Sequence, residues 1–279
     1  MSQSFSDSTL ILIGHGSTKN EGSAGPVRQH AAELRRRGSF AEVREAFWKQ
    51  EPSLAEAVSD LKTARVFFVP LFVSEGYFSE NVVPKELGFR GEDGAEFKRV
   101  LQRGGQTWFY CRAVGTHPRM TDVLLARARG VVEQSPFPRA PKPADTTLFV
   151  AGHGTEKDEN SRKAIDAQVE KIRGMGIYGD VQPLFLEEEP RLSDCYRLAQ
   201  TNNIVVVPFF ISDGLHVRED IPIQLGEPER SVKQRLAQGQ WPWRNPTERR
   251  GKLVWYAAAV GTEPGLAEVI LGRVREALG

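Results

Sequence analysis

Cysteine, long apolar runs and an excess of charge of either sign are all scarce in this chain. Two cysteines are too few for a disulfide framework or a cysteine-rich metal site, which suggests a reducing cytoplasm. No apolar run approaches the roughly 18 residues of a membrane-spanning helix, and no basic-then-apolar leader opens the chain. A net charge of +1 over 279 residues gives no global field toward nucleic acid or membrane surfaces. We therefore expect a cytoplasmic protein without nucleic-acid or membrane partners.

The chain contains an internal sequence repeat with two copies. LILIGHG at Leu10–Gly16 recurs as LFVAGHG at Leu148–Gly154, and VPLFVSEG at Val69–Gly76 recurs as VPFFISDG at Val207–Gly214. Both pairs lie 138 residues apart, and a later block recurs at an offset of 146 residues. A repeat of this length indicates a duplicated domain rather than a solenoid of short units. Because duplication supplies an internal pseudo-dimer, we expect a monomer.

Each half of the sequence predicts four strands that alternate with helices. A helix is predicted over Gly25–Arg37, with Gly38 just past its end. Alternating strands and helices favour parallel sheets with right-handed crossovers, so each half should be a small open α/β sandwich. The predicted strands are Thr9–Ile13, Val43–Trp48, Arg65–Val73 and Thr107–Val114 in the first half, and Thr147–Val150, Asp180–Leu186, Ile204–Ile211 and Leu253–Val260 in the second.

The repeat and the proline distribution predict the domain boundaries. An N-terminal domain is expected over residues 1–135, a proline-rich linker over 136–145 and a C-terminal domain over 146–279. The second half is eight residues longer, and the extra length falls near Gln240–Lys252, which contains Trp241 and Trp243. This segment is either a surface loop or part of a cleft wall, and the loop is the preferred interpretation.

Three chemically active residues of the second half follow predicted strand ends. His153 follows the first strand, Glu187 ends the second, and His216 follows the third. Ligands of open parallel sheets bind beyond the carboxyl ends of the strands. With a strand order of 2-1-3-4, these residues would meet in one crevice. Two imidazoles and a carboxylate suit a divalent metal or proton transfer, although each signal alone is weak.

Together these motifs resemble the CbiX-type sirohydrochlorin chelatases, which belong to the class II chelatases. The family pattern is GHGS or GHGT after a strand, Phe-Leu-Glu before a proline, and a third strand that leads through Gly-x-His to Asp-Ile-Pro. The chain matches with GHGT at 152–155, Phe185-Leu186-Glu187 before Pro190, and Gly214-Leu215-His216 running to Asp220-Ile221-Pro222. The resemblance covers both halves, and the combined pattern is specific.

The resemblance implies two tandem flavodoxin-like (chelatase-like) α/β domains that face each other, with a tetrapyrrole between them. The implied activity is that of a lyase-class metallochelatase, which inserts Co²⁺ or Fe²⁺ into sirohydrochlorin for cobalamin or siroheme biosynthesis. By similarity, His153, His216 and Glu187 would bind the entering metal and accept pyrrolic protons. The metal is then a substrate, and no permanently bound cofactor is expected. The alternative is a non-catalytic carrier of the tetrapyrrole or the metal.

The first half departs from the family pattern. It keeps His15, but Lys49 stands at the position of Glu187 and Phe78 at that of His216. The second half is therefore predicted to be catalytic, whereas two-domain members usually carry the complete set in the first half. His15 is either a structural residue of its turn or a residue that faces the substrate.

The sequence also offers candidates for holding the substrate. Sirohydrochlorin carries eight carboxylates, so cationic side chains near the strand ends would suit its periphery. The predicted substrate-binding residues are His15, Lys49 and Arg218.

Overall fold

The computed structural model describes residues 5–18, 21–91, 96–154 and 159–279. The chain forms two compact units, each built around its own sheet. The first unit contains the chain up to Met120 and the C-terminal segment Pro264–Gly279, and the second unit contains Thr121–Glu263.

Each described sheet has five strands in the same order. The first is ordered β2-β1-β3-β5-β4 and the second β7-β6-β8-β10-β9, with β4 and β9 antiparallel to their neighbours and the other pairs parallel. The strands are β1 (Phe5–Gly14), β2 (Phe40–Phe47), β3 (Arg65–Pro70), β4 (Val100–Arg103), β5 (Gln106–Tyr110), β6 (Thr146–Gly152), β7 (Asp180–Phe185), β8 (Asn203–Pro208), β9 (Thr247–Arg249) and β10 (Lys252–Tyr256).

Helices and short helical turns connect these strands. Each unit has a π-helical turn after its third strand, at Phe78–Val82 and at His216–Asp220. The α-helices are α1 (Gly25–Arg37), α2 (Leu54–Ala57), α3 (Val83–Glu86), α4 (Met120–Gln134), α5 (Glu159–Gly174), α6 (Cys195–Leu198), α7 (Ile221–Gln224), α8 (Glu229–Ala237) and α9 (Leu266–Glu276).

The predicted α/β fold class and the strand order 2-1-3-4 are confirmed. The apolar runs of the central strands are buried on both faces, and Leu10–Ile13 have no solvent exposure. Helix α1 has the predicted bounds, and Gly38 ends it in the left-handed conformation at φ 63°. A strand covered on both faces needs a continuous apolar run, which is why these elements could be found in the sequence.

The fifth strand of each sheet was not predicted. Strand β4 is mostly exposed, and β9 has three residues, so neither carries the apolar run of a covered strand. The preferred interpretation of Gln240–Lys252 as a surface loop was wrong in part, because β9 lies within this segment. Trp243 is buried, and its Nε1 donates a hydrogen bond to the Val254 carbonyl at 3.2 Å.

The last helix of each sequence repeat belongs to a different compact unit from the one that the predicted domain boundaries assign to it. Helix α4 belongs to the second unit, where Thr121 Oγ1 donates to Gln168 Oε1 at 2.7 Å. Helix α9 belongs to the first unit, where the buried Arg273 donates from Nε to the Ala113 carbonyl at 3.0 Å. The boundaries 1–135, 136–145 and 146–279 thus remain a proposal about the duplicated sequence, whereas packing divides the chain at other positions.

Candidate active site in the second unit

The candidate site lies at the carboxyl ends of β6, β7 and β8. Strand β6 lies between the other two, so residues that follow the three strands emerge beside one another. His153 comes directly after β6, Glu187 comes two residues after β7, and His216 begins the π-helical turn beyond β8.

Glycines on both sides of His153 fix the turn that presents it. Gly154 has φ +62°, and a Cβ there would stand 2.8 Å from the Phe185 Cβ. A Cβ on Gly152 would overlap the Ile165 side chain. Only glycine satisfies both the left-handed backbone and the close approach, so the GHG motif follows from the shape of this turn.

The two imidazoles of the second unit contact each other. The ring centroids of His153 and His216 lie 4.8 Å apart with an interplanar angle of 89°. Both side chains are partly open to solvent, at 33% exposure for His153 and 44% for His216. An edge-to-face pair at the rim of the sheet is therefore accessible to a ligand that approaches from outside.

Glu187 lies beside this pair at a greater distance. Its Oε2 is 3.8 Å from His153 Nδ1, and its side chain is 58% exposed. The backbone N–H of Glu187 donates to the His153 carbonyl at 3.1 Å, which ties the two loops together. Within the described ranges, no three His, Cys, Asp or Glu side chains converge closely enough to hold a metal ion. The three predicted residues adjoin, but they form an open edge and not a closed metal centre.

Asp220 belongs to the Asp-Ile-Pro motif, but the sequence assigned it no role at the site. Its Oδ2 lies 2.6 Å from His216 Nδ1, within hydrogen-bond distance, across one turn of the π-helical segment. The i,i+4 spacing of a histidine and an aspartate is the signal that could have found it.

The matching edge of the first unit carries aromatic side chains. The His15 ring lies 5.3 Å from Trp48 and 4.7 Å from Phe78, in both cases nearly edge-to-face. Trp48 and Phe78 contact each other at 4.9 Å, and Lys49 Nζ stands 4.5 Å from the centroid of the Trp48 ring. His15 thus keeps the turn of His153 but contacts two aromatic rings instead of a second imidazole.

A sequence model of the CbiX family matches residues 9–131 and 147–277. The chain belongs to the CbiX family. A probable sirohydrochlorin cobaltochelatase of Halobacterium salinarum is 41% identical over 278 residues, which cover 96% of this chain and 91% of that protein. The family predicted from the sequence motifs is confirmed.

Solved structures with the same fold also resemble this CbiX-family chain. DR2241 from Deinococcus radiodurans, a multi-domain protein similar to chelatases with two additional novel domains, aligns with a TM-score of 0.77 at 29% identity. The alignment covers 97% of this chain but 55% of DR2241, so this chain spans about half of that protein's length. SirB from Bacillus subtilis with Fe³⁺ aligns with a TM-score of 0.66, covering 97% of this chain and 95% of SirB. At 15% identity, that likeness shows the fold alone.

In this CbiX-family chain, Arg218 lies two residues beyond His216 on the same π-helical turn. The residue is half-buried, and among the described residues its Nε has no hydrogen-bond partner. Because the Nε is itself buried, Arg218 is a candidate carboxylate-binding residue through its place on the turn that carries His216, and a guanidinium is suited to bind carboxylates.

Asp213 anchors the loop that leads to His216. Its carboxylate accepts a hydrogen bond from the Ala259 backbone N–H at 2.7 Å, beyond the end of β10. Burial raises the pKa of the Asp213 carboxyl, although the Ala259 hydrogen bond and the charges of Arg127 and Arg218 act in the opposite direction. The carboxylate therefore carries a desolvation cost in order to hold the start of the His216 turn.

Large apolar side chains are exposed at matching positions beside both histidine edges. Tyr77 is 66% exposed in the first unit and Leu215 is 62% exposed in the second, each one residue before the π-helical turn. A pocket of about 490 Å³ beside Tyr77 and Trp48 is also lined by Lys85 and Arg90. These surfaces offer apolar and cationic contacts to a planar, carboxylate-bearing ligand.

Proposed function

We propose that this CbiX-family protein is a sirohydrochlorin chelatase that inserts Co²⁺ or Fe²⁺ into the tetrapyrrole. The observation that carries the proposal is the pair of partly open imidazoles, His153 and His216, with ring centroids 4.8 Å apart at the strand-end edge of the second unit. The family membership and the 41% identical relative, a probable sirohydrochlorin cobaltochelatase, support it.

The chemistry of insertion matches these residues. When a divalent metal enters a free-base tetrapyrrole, two pyrrole N–H bonds break and two protons leave as the metal–nitrogen bonds form. An imidazole that is not protonated can ligate a metal or accept a proton. His153 and His216 share these two tasks in our proposal, and Glu187 orients the metal or takes up a proton.

The open geometry of the site suits a metal that is a substrate. A structural metal centre surrounds its ion with a full set of protein ligands, whereas a site that passes the metal on must leave positions free for the acceptor. The two imidazoles and the 58% exposed Glu187 leave such positions. We therefore propose that the metal binds transiently and that the protein needs no permanent cofactor.

Arg218, Lys49 and His15 are the proposed substrate-binding residues. Arg218 lies two residues beyond His216 on the same π-helical turn. Lys49 is held over the Trp48 ring, where its ammonium can meet a carboxylate. The aromatic contacts of His15 favour a substrate-facing role over a metal-binding one.

Histidine and glutamate ligands suit both metals, so ligand chemistry alone does not choose between cobalamin and siroheme biosynthesis. Co²⁺ is the first metal to test, because the relative is named a cobaltochelatase.

No helix of the described ranges has the length and apolarity needed to cross a bilayer. A monomer in the cytoplasm remains our expectation.

The direct test is metal insertion into sirohydrochlorin, followed by absorbance with Co²⁺ and Fe²⁺ in parallel. The proposal predicts insertion well above the uncatalysed rate with at least one metal. Binding of sirohydrochlorin is measured in the same samples by equilibrium dialysis. Binding without acceleration by either metal would contradict the chelatase proposal and identify the protein as a carrier.

A further inference from the structure

We infer that Asp220 is a positioning residue that holds His216 in the tautomer with its proton on Nδ1. The lone pair then lies on Nε2, the nitrogen that can bind a metal or accept a pyrrolic proton. The role of this tautomer in metal insertion rests on the proposed function. The tautomer itself can be measured without any turnover.

The hydrogen bond between the two side chains decides the tautomer. Asp220 Oδ2 and His216 Nδ1 are 2.6 Å apart, slightly shorter than the roughly 2.7–2.9 Å of a charge-assisted N–H···O hydrogen bond. An ionised carboxylate has no proton to donate, so the hydrogen must reside on the imidazole nitrogen. In an imidazole that carries one proton, Nε2 is then the acceptor.

His153 is held in the same tautomer by the backbone. Its Nδ1 lies 3.2 Å from the Gly154 carbonyl oxygen, which can only accept a hydrogen bond. Both imidazoles of the pair therefore present an Nε2 lone pair. A second group that fixes the tautomer and orientation of a ligating histidine is a general feature of metal-binding sites.

The first unit provides an internal control for the role of Asp220. It has a π-helical turn at the same place, Phe78–Val82, with Phe78 at the position of His216 and Val82 at that of Asp220. The turn therefore forms without either polar side chain, and the His216–Asp220 bond is not needed to build it. The imidazole and its carboxylate are absent together from the first unit, as expected for two residues that serve one task.

The solvent exposure of the pair supports a functional role. Asp220 is 38% exposed and His216 is 44% exposed. A hydrogen bond between two partly exposed side chains contributes little net stability, so the contact is better explained by orientation of the ring than by a contribution to folding.

The experiment reads the imidazole nitrogens of His216 by NMR in protein labelled with ¹⁵N-histidine. Five histidines are present in the chain, and His216→Ala assigns the signal of interest. The wild type should show a protonated Nδ1 and an unprotonated Nε2 at His216. A wild-type His216 with its proton on Nε2 would overturn the inference without recourse to any variant.

Asp220→Asn and Glu219→Gln form a matched pair of variants. Both remove one negative charge from the same turn. Glu219, however, lies 3.9 Å from Lys233 Nζ, and among the described residues it makes no hydrogen bond with His216. The asparagine amide offers a donor as well as an acceptor, so Asp220→Asn should release the fixed tautomer. We expect it to lower Co²⁺ affinity or the insertion rate about 10- to 100-fold, with both unchanged in Glu219→Gln.

The outcomes separate this inference from the proposed function. If Asp220→Asn leaves the tautomer and the Co²⁺ affinity unchanged, or if Glu219→Gln has an equal effect, the inference is wrong. If the wild type holds the Nδ1–H tautomer and Asp220→Asn releases it, but no variant or wild type inserts metal, the positioning role stands and the chelatase proposal fails.

A second test introduces the histidine–aspartate pair into the first unit. Phe78→His alone and Phe78→His combined with Val82→Asp are compared by the same NMR measurement. The inference predicts that the new histidine is fixed with its proton on Nδ1 only when Val82 is replaced as well. The same tautomer in both variants would contradict the claim that the carboxylate sets it.

Discussion

His15 and His153 occupy equivalent turns but contact different side chains. His153 lies against the His216 imidazole, whereas His15 lies against Trp48 and Phe78. In both, Nδ1 lies within hydrogen-bond distance of the carbonyl of the following glycine, Gly16 or Gly154. The turn is thus shared by both units, whereas the neighbouring side chains give the second unit a pair of imidazoles and the first unit an aromatic edge.

Arg218→Met should raise the KM for sirohydrochlorin by about tenfold or more and leave kcat nearly unchanged. The substitution keeps an apolar stem and removes the guanidinium, which is proposed to bind a substrate carboxylate before and after insertion. Steady-state insertion kinetics measure this difference. Arg197→Met is the matched control, because Arg197 is 70% exposed and pairs with Asp194. Equal KM values for both variants would contradict a role of Arg218 in substrate binding.

Among the structural elements, the loops after β3 and β8 lead to the π-helical turns that carry Phe78 and His216. In the second unit, Asp213 holds the start of the His216 turn through the Ala259 N–H. In the first unit, Glu75 stands at the equivalent position and accepts a hydrogen bond from Thr116 Oγ1 at 3.0 Å. Both units thus fix this loop with an acidic residue that reaches the segment after the last parallel strand, although the partner differs.

Asp213→Asn should remove one component of the pH dependence of stability. Burial raises the folded-state pKa of Asp213 above the ordinary value of 3.8, so the folded state binds the proton more tightly than the unfolded state does. The contribution is favourable below the ordinary pKa and is lost as pH rises through the folded pKa. The free energy of unfolding of Asp213→Asn, relative to wild type, should therefore increase as pH rises from 3.8 through the folded-state pKa of Asp213.

Urea unfolding at a series of pH values measures this difference, with Asp194→Asn as the control. The pKa of Asp194 is lowered, mainly by its hydrogen bond with Arg197, so its contribution has the opposite sign. A stability difference for Asp213→Asn that falls with rising pH would contradict the assignment.

The sequence predicted the central strands and the histidine-bearing turns because both leave strong local signals. Continuous apolar runs identify covered strands, and GHG identifies a turn in which glycine is needed on both sides of His153. Strand β4 left no such signal because an exposed edge strand has no apolar run. Asp220 was missed because its role depends on a π-helical turn that brings it to His216.

At the scale of the whole molecule, the sequence repeats and the compact units divide the chain differently. Helix α9, at the C-terminal end of the second repeat, belongs to the first unit and packs there on α1 and β3. The sequence does not indicate that α4 belongs to the second unit and α9 to the first, since each repeat contains a full set of strands and helices. The stability of the first sheet therefore depends on residues near the end of the chain.

Arg273→Met should destabilise the first unit. Arg273 is 4% exposed and donates to the Ala113 carbonyl and to Thr116 Oγ1. Methionine would fill part of the space but remove both guanidinium donors from the buried Ala113 carbonyl, at a cost of about 1–3 kcal/mol. Hydrogen exchange should show faster exchange in the first unit. Arg275→Met, at an exposed position of the same helix, should change little, and equal effects of the two variants would contradict the account.

We propose that the imidazole pair of the second unit, His153 and His216, carries out metal insertion. The most direct measurement is the Co²⁺ insertion rate into sirohydrochlorin for His216→Ala and His15→Ala beside the wild type. We expect His216→Ala to lower kcat by about 100-fold or more and His15→Ala to act mainly on KM. Loss of kcat in His15→Ala with full kcat in His216→Ala would place the active site in the first unit and contradict the account.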